Sequence, residues 1–132
     1  MVDGRQRAVV LVVEDEPVIL NLVQLMLEDA GFDTLAAGGA AQALALLYAH
    51  DRTAVVGMVT DINLGAQGSG WELARRARQL NPDLPVVYMS GGNTHEWPSH
   101  GVPRSIMVPK PFSPSQIVVA IATLANRSDP RR

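Results

Sequence analysis

The sequence predicts an α/β fold, a doubly wound five-stranded parallel sheet with helices on both faces, on three observations. Short apolar, β-branched runs alternate five times with segments of helical periodicity along 132 residues, the order that such a sheet with right-handed crossovers requires. The runs are apolar throughout instead of alternating, as strands covered on both faces are. They also stop abruptly at polar groups, most sharply where residues 54–59 lead through Thr60 to Asp61 and then to a loop, residues 64–70, that holds three glycines. Glycine is costly to order and packs nothing, so this loop cannot extend the strand. Asp61 therefore falls at a strand's C-terminal mouth, the edge at which open α/β sheets bind ligands.

The first strand covers residues 8–13 and is followed at once by Glu14, Asp15 and Glu16. Pro17 suits the first turn of a helix, where its missing N–H costs nothing, and the preceding acids favour that helix's positive end. Ile19, Leu22, Val23, Met26 and Ala30 recur at helical spacing, and Gly31 is a natural stop. Residues 33–37 make a short second strand. Residues 40–50 are rich in strong helix formers, with Ala43, Leu44 and Leu47 on one face. After the strand that leads to Asp61, a third helix over residues 71–80 turns Leu73, Ala74, Ala77 and Leu80 inward and three arginines outward, and Asn81-Pro82 ends it. The fourth strand, residues 84–89, runs into Ser90-Gly91-Gly92. Between Asn93 and Pro103 only a poor helix is supported, because Pro98, Gly101 and Pro103 interrupt it. A fifth strand over residues 104–108 leads to Lys110-Pro111-Phe112. Ser113 then caps the last helix, with Pro114 at its first position and Ile117, Val118, Ile121 and Leu124 inward. One domain, residues 8–126, accounts for the chain, with short tails at 1–7 and 127–132.

Composition narrows the function classes. The chain is 47% hydrophobic and 18% charged with net charge −2, which indicates neither a disordered acidic tail nor a basic nucleic-acid footprint. It has no cysteine, which excludes a disulfide framework, a thiolate zinc site and thiol catalysis together. The apolar run after Arg5 and Arg7 reaches only Val13, too short for a signal-peptide core or a membrane span. A soluble, cytoplasmic protein that binds neither nucleic acid nor membrane is the expectation.

In a parallel sheet the residues just past each strand gather at one edge, so Glu14, Asp15, Asp61, Ser90 and Lys110 become neighbours. Carboxylates about 5 Å apart at an effective dielectric near 20 repel by roughly 3 kcal/mol per pair, so three together need a cation to stay ionised. Hard oxygen donors without cysteine select Mg²⁺, or Mn²⁺ as a substitute, over zinc. A divalent ion, a lysine and a hydroxyl are the parts needed to hold a phosphoryl group while a carboxylate attacks phosphorus. Taken singly, each residue reads as ordinary: a helix-start charge cluster, a turn serine, a surface lysine. The weight lies in four strand ends each supplying a different required group.

Val12-Val13-Glu14-Asp15-Glu16, Thr60-Asp61-Ile62-Asn63-Leu64, Tyr88-Met89-Ser90-Gly91 and Lys110-Pro111-Phe112 resemble the signature sites of response-regulator receiver domains, over about residues 8–126. The resemblance implies the flavodoxin-like strand order 2-1-3-4-5 in three α/β/α layers. It implies Asp61 as phosphoacceptor, Asp15 as direct metal ligand, Glu14 as an acid holding the metal through water, and Asn63 as backbone-carbonyl ligand. Ser90 matches the switch hydroxyl and Lys110 the phosphoryl-binding lysine. The implied partners are a sensor histidine kinase or a histidine phosphotransferase and an unnamed downstream protein, with a monomer or a weak, phosphorylation-dependent dimer. Such a protein catalyses only its own phosphorylation and dephosphorylation, and signals by protein contact or acts as a phosphate sink.

Three features depart from the family pattern. Leu64-Gly65 stands where Met-Pro is common, with one residue more before Gly70, so a softer loop is expected there. Met107 stands where many members carry a switch aromatic. The interrupted segment before Pro103 lacks a stable fourth helix. Together these resemble a receiver subgroup without the aromatic switch. A cis Lys110–Pro111 peptide is also expected, to aim Lys110 at Asp61. Two other classes fit less well. An FMN-binding electron carrier needs a phosphate loop where Glu14-Asp15-Glu16 would repel phosphate, and a metal-dependent phosphatase needs a proton-donating acid where Asn63 stands.

Overall fold

The computed structural model describes residues 8–50, 54–92, 94–110 and 112–128. Its strands are β1 (Val9–Val13), β2 (Asp33–Ala37), β3 (Val55–Asp61), β4 (Val86–Ser90) and β5 (Ser105–Pro109). All neighbouring pairs are parallel, in the order β2-β1-β3-β4-β5. The helices are α1 (Pro17–Asp29), α2 (Ala40–Ala49), α3 (Gly70–Leu80), α4 (Trp97–His100) and α5 (Pro114–Ser128).

Successive side chains of a strand point to opposite faces, so each strand feeds two cores. Val10 and Val12 pack with Val23 and Leu27 of α1 and Ile117 and Ile121 of α5. Leu11 and Val13 pack with Ala43 of α2 and Leu73 and Ala74 of α3. The runs read as continuously apolar because both faces are covered, and each fully buried Val or Leu contributes about 1.5–3 kcal/mol. No helix among the described residues is long and apolar enough to cross a membrane.

Several details differ from the sequence-based expectation. The buried residues of α1 are Val23, Met26 and Leu27, whereas Leu22 is 46% exposed. It stands about 100° round the helix from Val23 and misses the sheet. Trp71, at the start of α3, is buried against Tyr88 with ring centroids 4.7 Å apart. Arg78 does not simply face outward. Its Nε donates to the Leu84 carbonyl at 2.6 Å and its Nη2 to the Arg104 carbonyl at 3.3 Å, which ties the ends of two loops. Around Ser113, the Gln116 Oε1 accepts from the Ser113 N–H at 2.6 Å, the returning half of a capping box. The helix it opens runs to Ser128, two residues beyond the expected end of the domain.

The segment after β4 contains a 3₁₀ turn at Thr94–Glu96 and the single turn α4, which agrees with the poor helix expected there. Its far end is nevertheless tied: the Gly101 N–H donates to the Trp97 carbonyl at 2.8 Å and the Val102 N–H to the Tyr88 hydroxyl at 3.1 Å. Proline and glycine shortened the helix, and side chains of the core replaced the lost backbone bonds.

Candidate functional site

Asp61 ends β3, and Glu14 and Asp15 follow β1, its neighbour in the sheet. One carboxylate oxygen from each of the three lies within 4.8 Å of the others. From β5, Lys110 crosses this edge. Its Nζ donates to Glu14 Oε1 at 3.2 Å and to Asp61 Oδ2 at 3.3 Å, and its own backbone N–H donates to the Ser90 carbonyl at 2.7 Å, which continues the β4–β5 ladder. Lys110 is thus aimed through β5 itself. The expected cis bond involves Pro111, which lies outside the described residues.

Burial and charge at this edge do not balance. The Glu14 side chain is fully buried, and its pKa is raised from 4.5 to about 7. Burial is the main cause and repulsion by Asp61 the second, against partial relief from the Glu16 N–H and Lys110. For Lys110 burial pulls downward, yet attraction by Asp61 and Glu14 outweighs it and its pKa is raised. Three acids cluster here and one lysine contacts two of them, so the site carries a surplus of negative charge that a divalent cation would neutralise. The donors are carboxylates and carbonyls, which suit a hard ion of the Mg²⁺ type.

A cleft of about 380 Å³ opens above the cluster, lined by Asp15, Asp61, Asn63, Ser90 and Lys110 with the adjoining glycines. Five of the six residues singled out in the sequence therefore line one cleft, and Glu14 sits buried against Lys110. Ser90 is buried, and its Oγ accepts from the Gly92 N–H at 3.2 Å. Asn63 spends its side-chain oxygen locally, with Oδ1 accepting from the Gly65 N–H at 2.9 Å. A larger cleft of about 540 Å³ lies beside the first and shares Asp15, but Gly38, Gly39, Gln42 and Gln67 give it no further charge.

The loop after β3 is more ordered than its glycines suggested. Gly65–Gln67 forms a 3₁₀ turn, the Leu64 N–H donates to the Gly68 carbonyl at 3.1 Å, and Asn63 bridges to Ser69. Gly65 has φ +60 and faces Asp15 Oδ2. Proline, locked near φ −65°, cannot take that conformation, so the absence of Met-Pro accompanies a different loop and not merely a softer one. Gly70 was read only as part of a glycine-rich run, yet a Cβ there would collide with the Asp61 carbonyl oxygen and stand 2.9 Å from Ile62 Cα. The close approach of a helix start to the strand end is what requires glycine, and spacing alone did not reveal it.

An all-parallel 2-1-3-4-5 sheet with acids, hydroxyl and lysine gathered at its C-terminal edge defines a receiver-type signalling domain. The comparisons agree: residues 10–122 match the family model for the response regulator receiver domain, and the chain belongs to that family. Among solved structures, it is similar to a response regulator receiver protein from Sinorhizobium medicae WSM419, with TM-score 0.88 and 37% identity over 94% of this chain and 98% of the other. The receiver domain of NtrX from Brucella abortus gives TM-score 0.79 and 30% identity, over 89% and 98%. Among curated proteins, the probable transcriptional regulatory protein TcrX of Mycobacterium tuberculosis is 33% identical over 96% of this chain and 53% of its own length. The nitrogen assimilation regulatory protein NtrX of Azorhizobium caulinodans is 32% identical over 92% and 28%. The chain thus spans about half, or about a quarter, of these curated relatives. Its class is phosphorylation-based two-component signalling.

Proposed function

We propose that Asp61 accepts a phosphoryl group from a phosphohistidine on a sensor histidine kinase or a histidine phosphotransferase. A carboxylate oxygen of Asp61 attacks phosphorus, the P–N bond to histidine breaks, and the imidazole leaves and takes up a proton. Lys110, already within hydrogen-bond distance of Asp61 Oδ2, neutralises a phosphoryl oxygen. The hydroxyl of Ser90, at the rim of the same cleft, donates to another. Glu14, Asp15, Asp61 and the Asn63 carbonyl would hold Mg²⁺ or Mn²⁺, which when bound supplies charge neutralisation to the phosphoryl oxygens. Hydrolysis by water then restores the carboxylate.

The observation that carries this reading is Lys110 bridging Glu14 and Asp61 within a three-carboxylate cluster under an open cleft. Residues 8–126 act as the receiver unit, in the cytoplasm, as a monomer or a weak dimer after phosphorylation. Output is by contact with a downstream protein or by draining phosphoryl groups as a sink. Incubation with acetyl phosphate and Mg²⁺, followed by mass measurement, tests the chemistry. The expected result is one added phosphoryl group, abolished by Asp61→Asn and by excess chelator. Equal labelling of Asp61→Asn, or labelling indifferent to chelator, would overturn the assignment.

A further inference from the structure

Tyr88 is fully buried in β4, and its hydroxyl reaches the far end of the segment around α4. That hydroxyl accepts the Val102 N–H at 3.1 Å. The Val102 carbonyl accepts from Ser105 Oγ at 2.6 Å, and Ser105 Oγ accepts from Trp97 Nε1 at 2.9 Å. Both backbone groups of Val102 are thereby held by side chains of the sheet, the N–H by the phenol of β4 and the carbonyl by Ser105 at the start of β5. Burial raises the Tyr88 pKa and keeps that phenol neutral.

Two physical links run from the site to Tyr88. Ser90 lies two residues further along the same strand and therefore on the same face, so movement of the Ser90 end of β4 carries Tyr88 with it. The second link passes through α3. The Gly70 N–H donates to the Ile62 carbonyl at 2.7 Å, and Gly70 has no room for a side chain against the Asp61 carbonyl. The first turn of α3 is thus bound to the Asp61 backbone. Its next residue, Trp71, packs on the Tyr88 ring at 4.7 Å and lies 5.9 Å from the His100 ring of α4. Met107, which faces Tyr88 across the β4–β5 ladder, offers no hydroxyl to share the task.

We propose that Tyr88, between Trp71 and the Val102 backbone, is the latch through which phosphorylation at Asp61 loosens the segment of residues 97–102 from β4. The proposal rests on Asp61 being the phosphoacceptor. With the phosphoryl group absent, the Tyr88–Val102 bond is made and the segment is closed. When phosphoryl oxygens draw the Ser90 hydroxyl toward Asp61, Tyr88 moves with β4, the bond to Val102 is lost, and the segment, still held at Ser105 of β5, shifts to present a new surface. The bond is made or broken, so the device has two discrete states, as a switch requires.

Residue-resolved amide exchange on the wild-type chain, with Mg²⁺ and with or without beryllofluoride, tests this. Exchange at Val102 should speed up about tenfold or more with beryllofluoride, the scale of one lost buried hydrogen bond. Unchanged or slower exchange at Val102 would overturn the latch. Tyr88→Phe keeps the ring and removes only the acceptor, so its Val102 amide should exchange fast in both conditions. A Tyr88→Phe protein whose Val102 still responds as wild type would equally overturn it. The mass gain with acetyl phosphate is read on the same samples. Its absence from wild type would strike at the phosphoacceptor reading itself, whereas its presence without an exchange response strikes at the latch alone.

Discussion

Glu14 departs furthest from the environment of a free carboxyl group, and its titration is the sharpest consequence at the scale of single residues. The folded protein holds its proton to about pH 7, while the unfolded chain releases it near 4.5. Between those values the folded state binds more protons, so stability falls as pH rises through the window. The cost at neutral pH is of order 2–3 kcal/mol without a cation. Urea melts from pH 4.5 to 7.5 should show this slope in the wild type and lose it in Glu14→Gln, and Mg²⁺ should flatten it in the wild type. Identical slopes in the two proteins would mean that Glu14 ionises as freely as a surface acid. The identities of Glu14, Asp15, Asp61, Ser90 and Lys110 were legible because strand ends announce themselves where apolar runs stop. What was not legible is which acid is buried: nothing in Glu14-Asp15-Glu16 says that the first points into the protein and the second into the cleft. That depends on strand pleat and on the reach of Lys110.

At the scale of elements, the junction of β3 with α3 is the tightest constraint near the site. Gly70→Ala would press a methyl group onto the Asp61 carbonyl and the Ile62 backbone, and neither can yield without moving the strand end that carries the carboxylate. A loss of at least 2–3 kcal/mol is expected from such overpacking. By contrast, Gly91→Ala meets nothing within 4 Å and should be close to neutral. Denaturant midpoints of the two variants make the comparison, and a Gly70→Ala protein as stable as Gly91→Ala would show that the loop absorbs the methyl group. Element type was readable because helical and strand periods differ. Helix facing was less so: α1 offers apolar residues at nearly every position from Val18 to Leu27, so the sequence could not choose Leu27 over Leu22. The burial of Trp71 was not foreseen and Arg78 was read as simply outward, for a related reason. Their partners, Tyr88 for one and the Leu84 and Arg104 carbonyls for the other, lie on strands and loops outside the helix, where helical spacing says nothing of them.

For the whole molecule, alternation of runs and helices specified a parallel sheet, but periodicity does not order strands. The order 2-1-3-4-5 came from the resemblance of four motifs, and with it the knowledge that β1 and β3 are neighbours at the centre. That adjacency has a thermodynamic consequence. Glu14 and Asp15 follow β1 and Asp61 closes β3, so an ion shared by them joins two central strands whose separation is equivalent to global unfolding. A ligand that binds only the folded state stabilises it by about 2.7 kcal/mol at a hundred times its Kd. For a chain of 132 residues that corresponds to a rise in Tm of about 10 °C. Mg²⁺ should therefore raise Tm by this order and slow exchange of the β1 and β3 core amides together. Asp15→Asn should lose most of both effects, since it removes the exposed member of the cluster without opening the core. The amides of Gly91 and Gly92 lie beyond the strands that the ion joins, and should respond to beryllofluoride but not to Mg²⁺ alone. If Asp15→Asn gains as much Tm from Mg²⁺ as the wild type does, the cation is acting by general screening of an acidic surface and no ion is shared between β1 and β3.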